Sequence, residues 1–244
     1  MDDSGIVWIT GAAGGIGRAV ARLARAEGRR CLLQSRREIE GVDDEYCLRV
    51  QSDVGTEAGV SDALEAARAH FGEPPDQLCH CVGAVALGAL GRTSLDQWNA
   101  QLHANATTAF LALRGFAAAR SEGGSALLFS SVAARIGTPN HSAVAAAKGA
   151  VEALVRAAAA DLAPRRLRIN ALALGLTETP MTAGFVRDER SRQAVTAQYP
   201  LGRIGTAEEI AAAALWLLSK QCGWITGQIL PVDGGFSAIR PLQR

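Results

Sequence analysis

The stretch that most constrains the chain is Thr10-Gly11-Ala12-Ala13-Gly14-Gly15-Ile16-Gly17. Ahead of it runs Ile6-Val7-Trp8-Ile9, an unbroken apolar segment suited to a parallel strand buried on both faces. Behind it, Ile16, Val20, Leu23 and Ala24 recur at helical spacing through Glu27. A strand, a glycine-dense turn and a helix in that order make a phosphate cradle. Glycines let the backbone approach a pyrophosphate closely, and the free N–H groups of the first helical turn attract its charge. A tight turn without a ligand would need the same glycines, but the flanking strand and helix favour a dinucleotide.

The 244 residues are 48% hydrophobic and contain no Pro/Ser-rich linker, so a single domain over 1–244 is expected. A net charge of +1, with Lys and Arg scattered rather than striped, argues against a nucleic-acid partner. Met1-Asp2-Asp3-Ser4 is acidic and leads straight into the first strand, so no signal peptide is expected. No apolar run reaches the ~18 residues of a membrane span. The cysteines, Cys31, Cys47, Cys79, Cys81 and Cys222, are odd in number and lack framework spacing. Reduced thiols and a cytoplasmic location follow. Cys79-His80-Cys81 lies in an expected strand that turns His80 away from the two thiols, and no second ligand cluster exists, so no metal is expected.

Further along, Arg30 to Gln34 reads as a second strand, followed by Ser35-Arg36-Arg37. An acid at that strand end would accept bonds from a ribose 2′-OH, whereas an arginine suits a 2′-phosphate. The absence of an acid points to NADP(H), held by Arg36 with Arg37 in support; a solvated basic loop is the other reading. A third strand is expected from Leu48 to Val54, a helix from Glu57 to His70, and a fourth strand from Gln77 to Val82, ending at Gly83. Ser94 and Gln97 form a capping-box pattern for a helix carrying Leu102, Asn105, Phe110 and Leu113. Ala126 to Phe129 is a fifth strand, and Ser130-Ser131 stands at its carboxyl end, where such sheets bind ligands. The next helix sets Lys148 among alanines, either as a snorkelling lysine or as a donor to cofactor ribose hydroxyls. Leu167 to Leu172 is a sixth strand, Thr177 to Gln198 a polar segment, and Ala207 to about Ser219 a helix.

Taken together, Thr-Gly-x-x-x-Gly-x-Gly at Gly11, Gly15 and Gly17, Arg168-Ile169-Asn170, Pro200-Leu201-Gly202-Arg203 and Val232-Asp233-Gly234-Gly235 resemble the classical short-chain dehydrogenase/reductase family. The likeness spans about residues 4–238 and is similar to the 3-oxoacyl-carrier-protein reductases. It implies a Rossmann-like α/β fold: a doubly wound parallel sheet of about seven strands in three α/β/α layers, with a lid at about 176–200. It also implies a cofactor site at Thr10, Gly11, Gly15, Ile16, Gly17, Arg36, Asp53, Val54, Gly83, Lys148, Gly175 and Thr177. Asp53 and Val54 would meet the adenine. Asn105 would kink its helix and hold a water of the proton relay. A homotetramer, or a hetero-oligomer with a related reductase, is implied as well.

The chain departs from that family at three places. His80-Cys81-Val82-Gly83 stands where the family has Asn-Asn-Ala-Gly, and Leu174 replaces a proline. Most consequential, the family's tyrosine, four residues before the lysine, is Val144. A phenol beside an ammonium has a lowered pKa and exchanges a proton near neutrality. Ser131, thirteen positions before Val144, and Lys148 remain, but the proton donor is gone. Tyr46 belongs far from the crevice, and Tyr199 is expected to reach it only by moving. His141, three positions before Val144, is the substitute acid of choice, histidine being the side chain suited to proton exchange near neutrality. Three functions stay open: an NADP(H)-dependent ketoreductase with an altered proton source, acting on a small or carrier-bound acyl substrate; a cofactor-binding subunit paired with an intact reductase; and a non-redox enzyme performing dehydration or cyclisation.

Overall fold

Alternation within β1 (Ile6–Thr10) sets the layers of the molecule, since successive strand side chains point to opposite faces. Ile6 and Trp8 join a buried cluster with Ala63 and Leu64 of α2 (Glu57–Phe71), Phe116 of α4 (Thr108–Ala119) and Val151 of α5 (Ser142–Leu162). Val7 and Ile9 pack on the other side with Val20 of α1 (Gly15–Ala26) and Ile210 and Ala214 of α7 (Ala207–Leu218). A strand buried on both faces must be apolar throughout, as this one is. The computed structural model describes residues 5–240, so the expectation for Met1 to Ser4 lies outside the described residues.

Around β1 the sheet has seven strands in the order β3-β2-β1-β4-β5-β6-β9, all parallel. The others are β2 (Arg30–Ser35), β3 (Cys47–Gln51), β4 (Gln77–His80), β5 (Gly124–Ser131), β6 (Leu167–Leu174) and β9 (Ile229–Val232). The chain runs outward from β1 to β3 and then returns to β4 on its other side, so the winding reverses between β1 and β4. Ligand crevices of doubly wound sheets open at the carboxyl ends of strands at such a reversal.

Several element ends differ from the sequence expectation. β4 stops at His80 rather than Val82, because its partner β1 turns away at Gly11, whose φ of 68° is left-handed. β3 stops at Gln51 rather than Val54, opposite the last residue of β2, and Asp53 goes on to shape the turn into α2. β6 instead runs two residues further than expected, to Leu174 opposite Val232, where a proline would have interrupted the ladder. The helix expected to kink at Asn105 is divided there into α3 (Leu95–Leu102), a π-helical turn (His103–Thr107) and α4. Asn105 sits in that turn, its amide nitrogen donating to the carbonyls of Gln101 and Ala84. Widened turns of this kind arise where a side chain enters the helical ladder.

The polar segment after β6 is structured. β7 (Thr177–Glu178) and β8 (Gly205–Thr206) pair in parallel and clasp its two ends, and between them lies α6 (Glu189–Thr196), capped by Asp188. Among the described residues, no helix is long and apolar enough to cross a membrane, and no group of three or more His, Cys, Asp or Glu is placed to hold a metal ion.

Candidate active site

The glycine turn is built by backbone necessity. Gly11 adopts a left-handed φ of 68°. A Cβ on Gly17 would collide with the carbonyl oxygen of Gly11. Gly14 is the N-cap of α1 and brings no side chain to its open amides, so the positive end of the helix is left for a ligand. Thr179 and Pro180, from the segment after β7, pack onto Gly15 and roof the turn.

At the ends of the neighbouring strands, Arg36 is highly exposed and only 4.0 Å from the Asp53 carboxylate. Arg37 is already engaged, donating to the Ala13 carbonyl at 3.0 Å. Asp53 accepts from the Gly55 amide, and Val54 is buried beside it. These residues fit a dinucleotide: uncapped amides for the pyrophosphate, an available guanidinium, and no acid at the end of β2.

Beside the turn opens a cavity of about 470 Å³ lined by Ile16, Gly83, Asn105, Ser131, His141, Val144, Lys148, Gly175, Thr177 and Tyr199, among others. Eight of the expected site residues are thus brought together there. Gly11, Gly15 and Gly17 lie in the adjoining turn, Thr10 at the end of β1, and Arg36, Asp53 and Val54 just beyond the ends of β2 and β3. The fifth strand delivers two serines with different fates. Both line the cavity, but Ser130 donates to the buried Glu152 carboxylate at 3.0 Å, whereas Ser131 accepts the Ala133 amide at 3.2 Å.

On α5, Ala143, Val144, Ala147, Lys148 and Val151 form one buried stripe at helical spacing, which puts Val144 one turn from Lys148. The Lys148 ammonium is buried and donates to the Phe129 carbonyl at 2.8 Å; burial pushes its pKa down to about 8. Val144 is 2% exposed and turns an apolar wall to the cavity. His141 is the N-cap of α5. Its Nδ1 donates to the Pro139 carbonyl at 2.7 Å, and the residue lines the cavity.

Two residues stand where the sequence did not lead. His80 occupies the place of the family's first asparagine and bonds on both sides, Nδ1 to the Thr10 hydroxyl at 2.8 Å and Nε2 to the Thr108 hydroxyl at 3.2 Å. Thr108 gives its own proton to the Ala104 carbonyl, so His80 donates from Nε2 and accepts at Nδ1. Burial, with Lys148 nearby, drives its pKa down to about 3. A single histidine in an apolar strand gives no sequence signal of that role. Tyr199 corrects an expectation: it needs no movement, because it already lines the cavity. Its hydroxyl accepts the Leu176 amide at 2.7 Å, its ring stacks on Phe236 at 5.0 Å, and burial raises its pKa.

Residues 11–237 match a family model described as enoyl-(acyl carrier protein) reductase. The chain is 34% identical to a cis-4-hydroxycyclohexanecarboxylate dehydrogenase of Sinomonas cyclohexanicum, over 95% of this chain and 96% of that protein. It is 35% identical to an inactive 2-(S)-hydroxypropyl-CoM dehydrogenase 2 of Xanthobacter autotrophicus, over 78% of this chain and 85% of that one. Among solved structures, it superposes on a short-chain dehydrogenase/reductase, a glucose/ribitol dehydrogenase from Brucella melitensis. The TM-score is 0.88 at 28% identity, covering 96% of each chain.

Proposed function

Since the chain belongs to the short-chain dehydrogenase/reductase family, we propose that it binds NADP(H) and acts on a keto or hydroxy substrate through an active site that lacks the usual proton donor. One observation carries this reading. Ser131, Asn105 and Lys148 line a single cavity beside an intact glycine cradle, and Val144 fills the place between them. When bound, the nicotinamide supplies or accepts the hydride. The protein's own tasks are to grip the cofactor, orient the carbonyl and handle the proton. In this reading Lys148 holds ribose hydroxyls, Ser131 hydrogen-bonds the substrate oxygen, and Asn105 seats a water. Arg36 favours the 2′-phosphate.

The missing acid sets the expected rate. General acid catalysis is worth ~10²–10⁴-fold, about 3–5 kcal/mol of barrier. Ketone reduction is therefore slow unless another group gives the proton. His141, which lines the cavity, is that group in this reading, and Tyr199 is bound to Leu176 instead. Titration with NADPH, followed by a screen of ketones and β-keto thioesters read by mass spectrometry, tests the proposal. Tight NADPH binding with slow ketone reduction supports it, and failure to bind NADPH overturns it.

A second reading is a cofactor-binding subunit that partners an intact reductase. It draws support from Val144 and from the relative that is itself named inactive. Co-purification of a related chain carrying the tyrosine would favour it, and a homotetramer would favour the first. Product formation without any change in cofactor absorbance would instead indicate a dehydration or cyclisation. The five thiols, all free, suit a reducing, cytoplasmic setting.

A further inference from the structure

A second cavity, of about 410 Å³, opens against the same wall of the site and shares Leu87 with the larger one. It lies between the loop after β4, one face of α3 and the start of α5, and its polar lining is Arg92, Thr93, Gln97, Gln101 and Asn140. The chemistry of that lining is one-sided. Gln97 and Gln101 are four residues apart on one face of α3. The oxygen of Gln97 accepts the Ser94 amide at 3.0 Å in the capping box, and the oxygen of Gln101 accepts the Ala86 amide at 3.4 Å. Those two backbone donors fix which way each side-chain amide is turned. Both NH₂ groups are then left without a partner among the described residues, and Gln101 is only 4% exposed.

Arg92 stands at the same cavity, and no carboxylate lies within ion-pairing distance of its guanidinium among the described residues. No acidic side chain lines the cavity at all. The loop is held in place by the Asn140 carbonyl, which accepts the Gly88 amide at 2.9 Å from a residue with a left-handed φ of 64°. A cavity walled by Ala86, Leu87, Ala89 and Ala143, with two oriented amide donors and one unpaired guanidinium, lacks only an anionic acceptor.

We infer that this cavity is a carboxylate subsite, which anchors an acidic group of the substrate while its keto or hydroxy carbon reacts in the larger cavity. The inference rests on the reading of the larger cavity as the reaction site. Arg92 would pair with the carboxylate, and Gln97 and Gln101 would donate to its oxygens. Asn140 and His141 are adjacent in sequence and face the two cavities, one each, so a single compact substrate would span them.

The test uses benzoate and benzamide, which match in shape and differ in charge, titrated calorimetrically into the full-length protein. Benzoate should bind at least tenfold more tightly. Arg92→Gln should erase that preference while leaving NADPH affinity unchanged, and Gln101→Leu should reduce it. Equal binding of the two probes, or a preference that survives Arg92→Gln, would overturn the assignment. In the ketone screen, a keto acid such as 4-acetylbenzoate should show a KM at least tenfold below that of 4-acetylbenzamide, and Arg92→Gln should remove the gap. Turnover of no ketone, with the benzoate preference intact, would count against the redox reading and leave the subsite standing.

Discussion

The glycine turn and the Ser131-Val144-Lys148 wall lie at the same end of the same sheet, yet they specify their functions by different means. In the turn, the backbone does the recognising. Gly11 needs its left-handed φ and Gly17 has no room for a Cβ, so the sequence there is dictated by geometry. In the wall, the fold tolerates exchange: a valine completes the buried stripe of α5 without disturbing Lys148 one turn away. The residue at 144 can therefore change while the geometry of the glycine turn stays fixed. If the two regions act independently, each should respond to substitution alone.

The sharpest way to break the comparison is Val144→Tyr. If the wall is complete except for its acid, the phenol enters a cavity that has space for it, one turn from the lysine. Ketone reduction should rise by ~10²–10⁴-fold, measured as NADPH oxidation across a ketone panel. No rise, in a variant that still binds NADPH, would mean the wall differs in more than one residue. Fast wild-type turnover that His141→Ala abolishes would instead identify the histidine as the acid.

The turn should respond in the opposite way. Gly17→Ala forces a Cβ onto the Gly11 carbonyl, a clash of the kind that costs about 1–3 kcal/mol. If the distortion falls on the cradle, NADPH affinity should drop about ten- to a hundredfold. The loss should appear equally in the wild-type and Val144→Tyr backgrounds. A loss that depends on the residue at 144 would show that the two regions are coupled. Arg36→Ala is a finer cut, because it removes a side chain rather than reshaping the backbone. Arg36 is highly exposed, so its bond to a 2′-phosphate belongs at the low end of the charged range, about tenfold in NADPH affinity. NADH binding should hardly change, and equal weakening of both cofactors would reject the specificity assignment.

The same contrast explains what was legible in the sequence. The three layers, the seven-stranded parallel sheet and the glycine turn could be read because apolar runs and glycine spacing are themselves the cause of those features. The lines that failed were set by neighbours remote in the chain. β4 ends at His80 because β1 turns off at Gly11. Tyr199 could not be placed from its position in a polar segment, since its ring is held by Phe236, well along the chain. The donor-only second cavity was likewise invisible, because it depends on which way two glutamine amides are turned.

His80 stands between the two regions and offers the smallest but most telling test. It receives a proton from Thr10, at the mouth of the turn, and gives one to Thr108, beside the π-helical turn that presents Asn105 to the wall. Protonating the ring would put a charge into a fully buried site near the Lys148 ammonium, so the native state resists it. The folded pKa of about 3 against 6.5 unfolded means that the unfolded chain binds the extra proton throughout that interval. Stability then falls as the pH drops from 6.5 towards 3 and is unaffected by this group above 6.5. Between pH 6.5 and 5.5 the loss should be about 1 kcal/mol. Denaturant midpoints at the two pH values measure it, and His80→Asn, which restores the family's side chain, should remove that share of the pH dependence. Identical slopes in the two proteins would show that His80 is not the group that binds the turn to the wall. A reduced slope together with unchanged NADPH affinity would show that the histidine serves the fold and leaves both functions to the regions it joins.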